Sequence, residues 1–239
     1  MEDASLTALL VTAGLIGFVH TITGPDHYIP FVAMSRVGRW SITKTIIVTL
    51  ACGVGHVTSS VAIGAIGIAG GYALGGMKAF ETTRGDVAGW LLLGFGLAYF
   101  AWGVRRAIRN RPHTHVHAHA DGVVHVHEHV HADSHVHAHR DDNEQTGSMT
   151  PWVLFTIFVF GPCEPVIPIL MFPAAKLSFW GVAMVALVFG LCTLATMTII
   201  VVAGYHGVTK LSLPGLARYS HAVAGFALAA CGLAIQLGF

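Results

Sequence analysis

The sequence predicts an all-α integral membrane protein: six transmembrane helices forming two inverted three-helix repeats, with the first and fourth helices broken. Three observations predict it. Hydrophobic residues make up 54% of the chain and charged residues only 10%, whereas a soluble domain carries about 25% charged residues. Six long stretches are free or nearly free of charge. A Gly-Pro break in the first stretch returns in the fourth.

The uncharged stretches are 4–25, 45–77, 87–104, 149–175, 177–209 and 219–239, the fourth interrupted only by Glu164. Each is near or above the roughly 20 apolar residues needed to cross a bilayer. The predicted helices run over about 6–31, 45–72, 87–104, 151–174, 178–203 and 219–238. A soluble helical bundle would need polar faces that these stretches lack. The start, Met1-Glu2-Asp3-Ala4-Ser5, lacks the basic region of a cleaved signal peptide, so the first helix is expected to be retained.

Lys and Arg set the expected orientation. Arg36, Arg39, Lys44, Arg105, Arg106, Arg109, Arg111, Arg140, Lys210 and Arg218 fall on one side, against Lys78, Arg84 and Lys176 on the other. The richer side is the cytoplasmic one, leaving both termini outside a bacterial-type inner membrane. Trp40, Trp152 and Trp180 lie near predicted helix ends, where interfacial anchors belong. Cys52, Cys163, Cys192 and Cys231 form no CxxC and no disulfide framework.

The chain divides into 1–104, a first three-helix repeat; 105–148, a cytoplasmic polar loop; and 149–239, a second repeat. Gly24-Pro25-Asp26-His27 returns 137 positions later as Gly161-Pro162-Cys163-Glu164, and at that offset Gly53 meets Gly190. One residue tighter, Gly89 meets Gly225 and Gly96 meets Gly232. Three helices per half place the second half in the membrane upside down, so the two breaks meet near its middle.

The loop holds His113, His115, His117, His119, His125, His127, His129, His131, His135, His137 and His139, all at odd positions. Extended chain puts them on one side. Such a tract binds borderline metal ions but builds no packed core, so without metal it is expected to be disordered.

The first break carries the chemistry. His20, Asp26 and His27 stand in apolar surroundings, where ionisable groups persist only if they line a cavity or hold a substrate. Pro25 removes a backbone donor and restarts the helix, so Asp26 offsets the positive end of the new segment. His20 and His27 are two turns apart and can share a face. Imidazole with carboxylate suits Ni²⁺, Co²⁺ and Zn²⁺ better than Mg²⁺ or Ca²⁺. His56 follows Gly53-Val54-Gly55, which lets a neighbouring helix approach. In the second break, Pro162, Pro165 and Pro168 free the carbonyls of Phe158, Gly161 and Glu164 as potential oxygen ligands. Cys163 offers a soft thiolate, and Glu164 a ligand or a carrier for a coupled proton. Cys52, Cys192 and Cys231 read as packing residues; His206 and His221 have no assigned role.

A broken first helix with His-x5-Asp-His, a Gly-x-Gly-His in the second helix, a His-rich loop after the third and a Gly-Pro-Cys in the fourth resemble the nickel/cobalt transporters. The nearest branches are the six-helix nickel/cobalt efflux permeases and the urease-accessory nickel permeases of the lysine-exporter-like superfamily. The resemblance implies a secondary transporter of divalent transition metal, Ni²⁺ or Co²⁺ before Zn²⁺, with no permanently bound cofactor. It places His20, Asp26, His27 and His56 at the metal positions. One departure is spacing: five residues separate His20 from the Asp-His pair, where the eight-helix uptake members usually have four. No nucleotide-binding or catalytic motif is present, so neither an ATPase nor another enzyme is expected, and no nucleic-acid partner. The expected partners are the ion, the bilayer and a coupled proton, and a cytoplasmic His loop fits efflux slightly better than uptake. Two alternatives belong to other classes. A membrane thiol–disulfide electron carrier needs a redox cysteine in each half, yet Asp26 stands opposite Cys163. A metal buffer or sensor using the loop alone leaves the broken helices unexplained.

Overall fold

The computed structural model describes residues 2–71, 74–109, 113–118, 124–129, 150–161, 163, 165–174, 179–210 and 218–238. The protein is helical, and four of its helices are long and apolar enough to cross a membrane: Leu6–Thr23, Ile42–Ala69, Leu74–Arg109 and Phe179–Val208. The other two expected spans correspond to shorter pieces. Residues 151–174 fall into α5 (Thr150–Phe160) and α6 (Val166–Ala174), separated by the second proline break, and the last helix, α8 (Ser220–Gln236), has 17 residues.

Helix α1 (Glu2–Thr23) stops where Gly24-Pro25 ends its hydrogen-bond ladder. A single 3-10 turn, Pro25–His27, bridges to α2 (Ile29–Val37). Helix α3 (Ile42–Ala69) opens on a serine cap, Ser41 Oγ accepting from the Lys44 amide at 3.1 Å. Helix α7 (Phe179–Lys210) is uninterrupted.

Helix α4 (Leu74–Arg109) is much longer than the predicted 87–104. Its first four turns contain Lys78, Glu81, Arg84 and Asp86, which read locally as loop charges. Glu81 and Arg84 instead lie one turn apart inside the protein, bonded at 2.9 Å, and neutralise each other there. Arg84 therefore leaves the loop charge count. At the far end Arg105, Arg106 and Arg109 extend the helix and do not begin a loop.

In the loop, His113–Ala118 (β1) pairs antiparallel with Val124–His129 (β2). Odd positions face odd positions: His113 opposite His129, His115 opposite His127, His117 opposite His125. Over these two stretches the backbone is ordered by strand pairing, which the composition did not foretell. His119, His131, His135, His137 and His139 lie outside the described residues.

Packing rests on small residues. α4 and α8 run antiparallel with backbones in contact: Gly96 against Ala229, Gly103 against Ala222, Gly225 against Phe100 and Gly232 against Leu93. Only glycine allows this approach, the usual means of helix association where lipid supplies no hydrophobic drive. α1 lies along α7, while α3 packs on α5, α6 and α7. The outward faces are apolar, with Leu15, Ile47, Ile66, Trp90, Leu187 and Ile199 all exposed. In water that surface would be an aggregation liability, whereas lipid solvates it. Trp152 and Trp180 are 73% and 74% exposed, as anchors would be, but Trp40 is only 4% exposed. Trp40 packs inside instead, its carbonyl accepting from the Tyr205 hydroxyl at 3.1 Å.

Candidate metal centre

The break between α1 and α2 forms one wall of a buried cluster. His20 ends α1 and His27 closes the 3-10 turn, their ring centroids 4.7 Å apart. His56, midway along α3, brings its ring to 5.1 Å from His27. One nitrogen from each of His20, His27 and His56 can be chosen so that all lie within 4.8 Å of one another. Nitrogens bound to one ion at about 2.1 Å stand roughly 3–4 Å apart, so only a small contraction would close the set.

The hydrogen bonds around two of these rings leave the ligand nitrogen free. His27 Nδ1 donates to the Gly24 carbonyl at 3.2 Å and Asp26 Oδ1 at 3.1 Å. His56 Nδ1 donates to the Phe158 carbonyl at 3.2 Å. A carbonyl can only accept, so both rings carry a proton on Nδ1, and in the neutral imidazole Nε2 keeps its lone pair. Among the described residues, those two buried Nε2 atoms have no hydrogen-bond partner. Buried polar atoms are ordinarily satisfied, and such an exception calls for a ligand or a strain account.

Gly24 is required where it stands. A Cβ there would lie 2.5 Å from His27 Nδ1 and 2.9 Å from Asp26 Oδ1. Its φ of −89° is open to any residue, so the constraint is space for the imidazole. The break itself is tied down by the Tyr28 hydroxyl, which donates to the Ile22 carbonyl at 3.3 Å.

The second break supplies the opposite wall. Cys163 is fully buried, its Sγ 3.8 Å from His20 Nε2, so it borders the three-histidine group at His20. Two of the carbonyls freed by its prolines, those of Phe158 and Gly161, already accept hydrogen bonds. Phe158 O takes the His56 proton and Gly161 O takes Arg84 Nη2 at 2.6 Å. Glu164 and Pro162 lie outside the described residues. Phe31, Phe158 and Phe189 enclose the group: Phe158 is 4.7 Å from Phe31 and 6.1 Å from His56, and Phe189 is 6.4 Å from His20.

His20, His27 and His56, with Cys163 beside His20, thus lie together although they come from three parts of the chain. Asp26 is beside them but has its Oδ1 engaged with His27, which makes it an orienting group for that ring. Glu81 and Arg84 were missed. Their one signal was an acid and a base three residues apart between two apolar runs, a pattern equally common in solvated loops. His221 meets the Tyr99 hydroxyl at 2.8 Å, a separate contact. All four cysteines are free.

Cavities of about 270 Å³ and 250 Å³ lie towards the two ends of the helices. The first is lined by Lys78, Glu81, Thr82, Pro165 and Pro168 near the start of α4. The second is lined by Ser35, Arg36, Arg39, Trp40, Tyr205 and Val208 near the end of α7. His27 and His56 are each 2% exposed and line neither cavity, while His20 is half-buried.

Scans against protein-family models, curated proteins and solved structures returned no match to this chain.

Proposed function

We propose that the chain is a secondary transporter of divalent transition-metal ions, Ni²⁺ or Co²⁺ before Zn²⁺, akin to the six-helix nickel/cobalt permeases. One observation carries it: the buried Nε2 atoms of His27 and His56, unpartnered among the described residues, beside His20 where broken helices meet. A purely structural kink would have satisfied those nitrogens, because an unmet polar atom out of reach of water costs several kcal/mol. Imidazole donors select borderline metals. Asp26 and the Phe158 carbonyl hold the two rings in the ligand-ready tautomer, as carboxylates and carbonyls do behind metal-bound histidines.

Six spans arranged as inverted repeats are part of this reading. Their support is the symmetry of the contacts. A 137-residue offset turns the Gly53–Leu194 contact into the Val57–Gly190 contact. On the α4–α8 seam an offset of 136 exchanges Gly96–Ala229 with Leu93–Gly232. In this account the ion is bound in an occluded site, and rocking of one half against the other opens it alternately to the two cavities. His20, His27 and His56 bind it, Cys163 adds a soft donor, and Glu164 carries a coupled proton. The histidine loop gathers ions on the cytoplasmic side, which favours efflux.

The test is flux in proteoliposomes offered Ni²⁺, Co²⁺, Zn²⁺ and Mn²⁺ separately, with and without a pH gradient. Selective passage of Ni²⁺ or Co²⁺ supports the reading. A folded, reconstituted protein that passes none of the four overturns it in favour of the thiol-electron or metal-buffer alternatives.

A further inference from the structure

Outside the histidine cluster, the most unusual group in the protein is the buried Arg84 guanidinium. It is engaged on all three nitrogens. Nη1 binds Glu81 Oε1 at 2.9 Å on its own helix. Nη2 donates to Ser60 Oγ at 2.7 Å and Ser59 Oγ at 3.3 Å on α3. Nη2 and Nε also reach the Gly161 and Phe160 carbonyls, at 2.6 and 3.2 Å, where α5 ends.

Those two carbonyls are the negative end of a helix cut short by proline. Pro165 has no N–H to give the Gly161 carbonyl, and the break gives the α5 terminus no continuing helix. A cation at that end satisfies the orphan oxygens and the helix dipole together. The planar fork can span two carbonyls and a hydroxyl in a way a lysine ammonium cannot.

Position gives the clamp a consequence. The segment it grips, Phe160–Gly161, lies between the two site residues of this wall. On one side Phe158 receives the His56 proton. On the other Cys163 faces His20. A Cβ on Gly161 would come within 3.3 Å of His56 Nδ1, so the gripped backbone is in contact with the cluster. Beyond it, Glu81 and Pro165 line the cavity near the start of α4. The guanidinium therefore ties α3, α4 and the end of α5 together between the cluster and that cavity.

We propose that Arg84 is a positioning residue that shuts the ion site towards this cavity by pinning the Phe160–Gly161 end of α5 against α3. Opening on that side requires the fork to let go of Gly161 and Phe160, with Glu81 retaining the charge on α4. The purpose of the closure rests on the transport reading, but the closure itself does not, so the test uses no metal.

The experiment is labelling of the full-length protein in proteoliposomes with a small membrane-impermeant methanethiosulfonate, mapped to each cysteine by mass spectrometry. In the wild type Cys163 labels at background. Arg84→Gln is expected to raise its labelling rate at least tenfold while Cys52 and Cys231 stay at wild-type level. Arg84→Lys, which keeps the charge but lacks the fork, is expected to raise it at least threefold. If Arg84→Gln exposes all the cysteines together, the protein has unfolded and the lysine variant decides. A Cys163 rate within twofold of wild type in Arg84→Lys, or in folded Arg84→Gln, overturns the assignment. Absence of metal flux would count against the transport reading alone.

Discussion

His56 Nδ1 donates to the carbonyl of Phe158, 102 residues further along the chain, at 3.2 Å. The bond joins the unbroken helix of the first half to the broken helix of the second. It also settles which nitrogen of His56 is left for a ligand. His27 and His56 are both organised in this way, with backbone or carboxylate behind the ring and an Nε2 in front that is unpartnered among the described residues.

Asp26 performs that service for His27, so Asp26→Asn should weaken metal binding without removing a ligand. Loss of such a supporting group costs about 10–100-fold in metal affinity. Equilibrium dialysis of Ni²⁺ against a variant whose loop histidines are replaced measures the site alone. Asp26→Asn is expected to bind within that range below its parent, whereas unchanged affinity would remove Asp26 from the account.

Gly24→Ala tests space around the same ring. The methyl group would overlap His27 Nδ1 while φ stays in an ordinary region. Displacing a ligand this way should cut initial flux by roughly tenfold or more, in keeping with the sensitivity of metal sites to ring orientation. Thermal stability should fall by no more than the overpacking cost of about 1–3 kcal/mol, since the backbone conformation itself is open to alanine. Wild-type flux in Gly24→Ala would show that His27 does not need its present position.

The seam between α4 and α8 makes a prediction about stability. In Gly96→Leu the new side chain meets the Ala229 backbone, which has no room to give. Overpacking of this kind costs about 1–3 kcal/mol or more, corresponding to a melting point roughly 3–10 °C lower for a chain of this size. Thermal unfolding in detergent measures it, and an unshifted transition would contradict the close approach.

If, as proposed, the loop gathers ions without lining the path, deleting 113–139 should lower the apparent affinity for the ion more than the maximal rate. Concentration-dependent flux separates the two. A silent deletion mutant that still folds would contradict an accessory role.

Much of this was legible in local sequence, and the rest depended on partners far away. Pro25 and Pro162 announce the breaks because a missing N–H acts on its own helix. His20 and His27 could be paired by helical arithmetic, since seven residues make two turns. The length of α4 was not legible, because Glu81 and Arg84 look like loop charges until Ser60 and Gly161 are seen to surround them. Phe158 O and Gly161 O looked available as ligands for the same reason: their donors, His56 and Arg84, come from other helices. Trp40 reads as an interfacial anchor by position, yet Tyr205 from the second half draws it inside.

The most direct test of the central claim is the initial rate of Ni²⁺ flux through His27→Ala beside wild type in matched proteoliposomes. His27 sits between the other two rings and contributes an Nε2 that is unpartnered among the described residues. The account predicts a fall of at least about a hundredfold, of the order of 3 kcal/mol in the transport barrier, with helicity and oligomeric profile unchanged. Flux within twofold of wild type would mean that the ion does not pass through this histidine cluster.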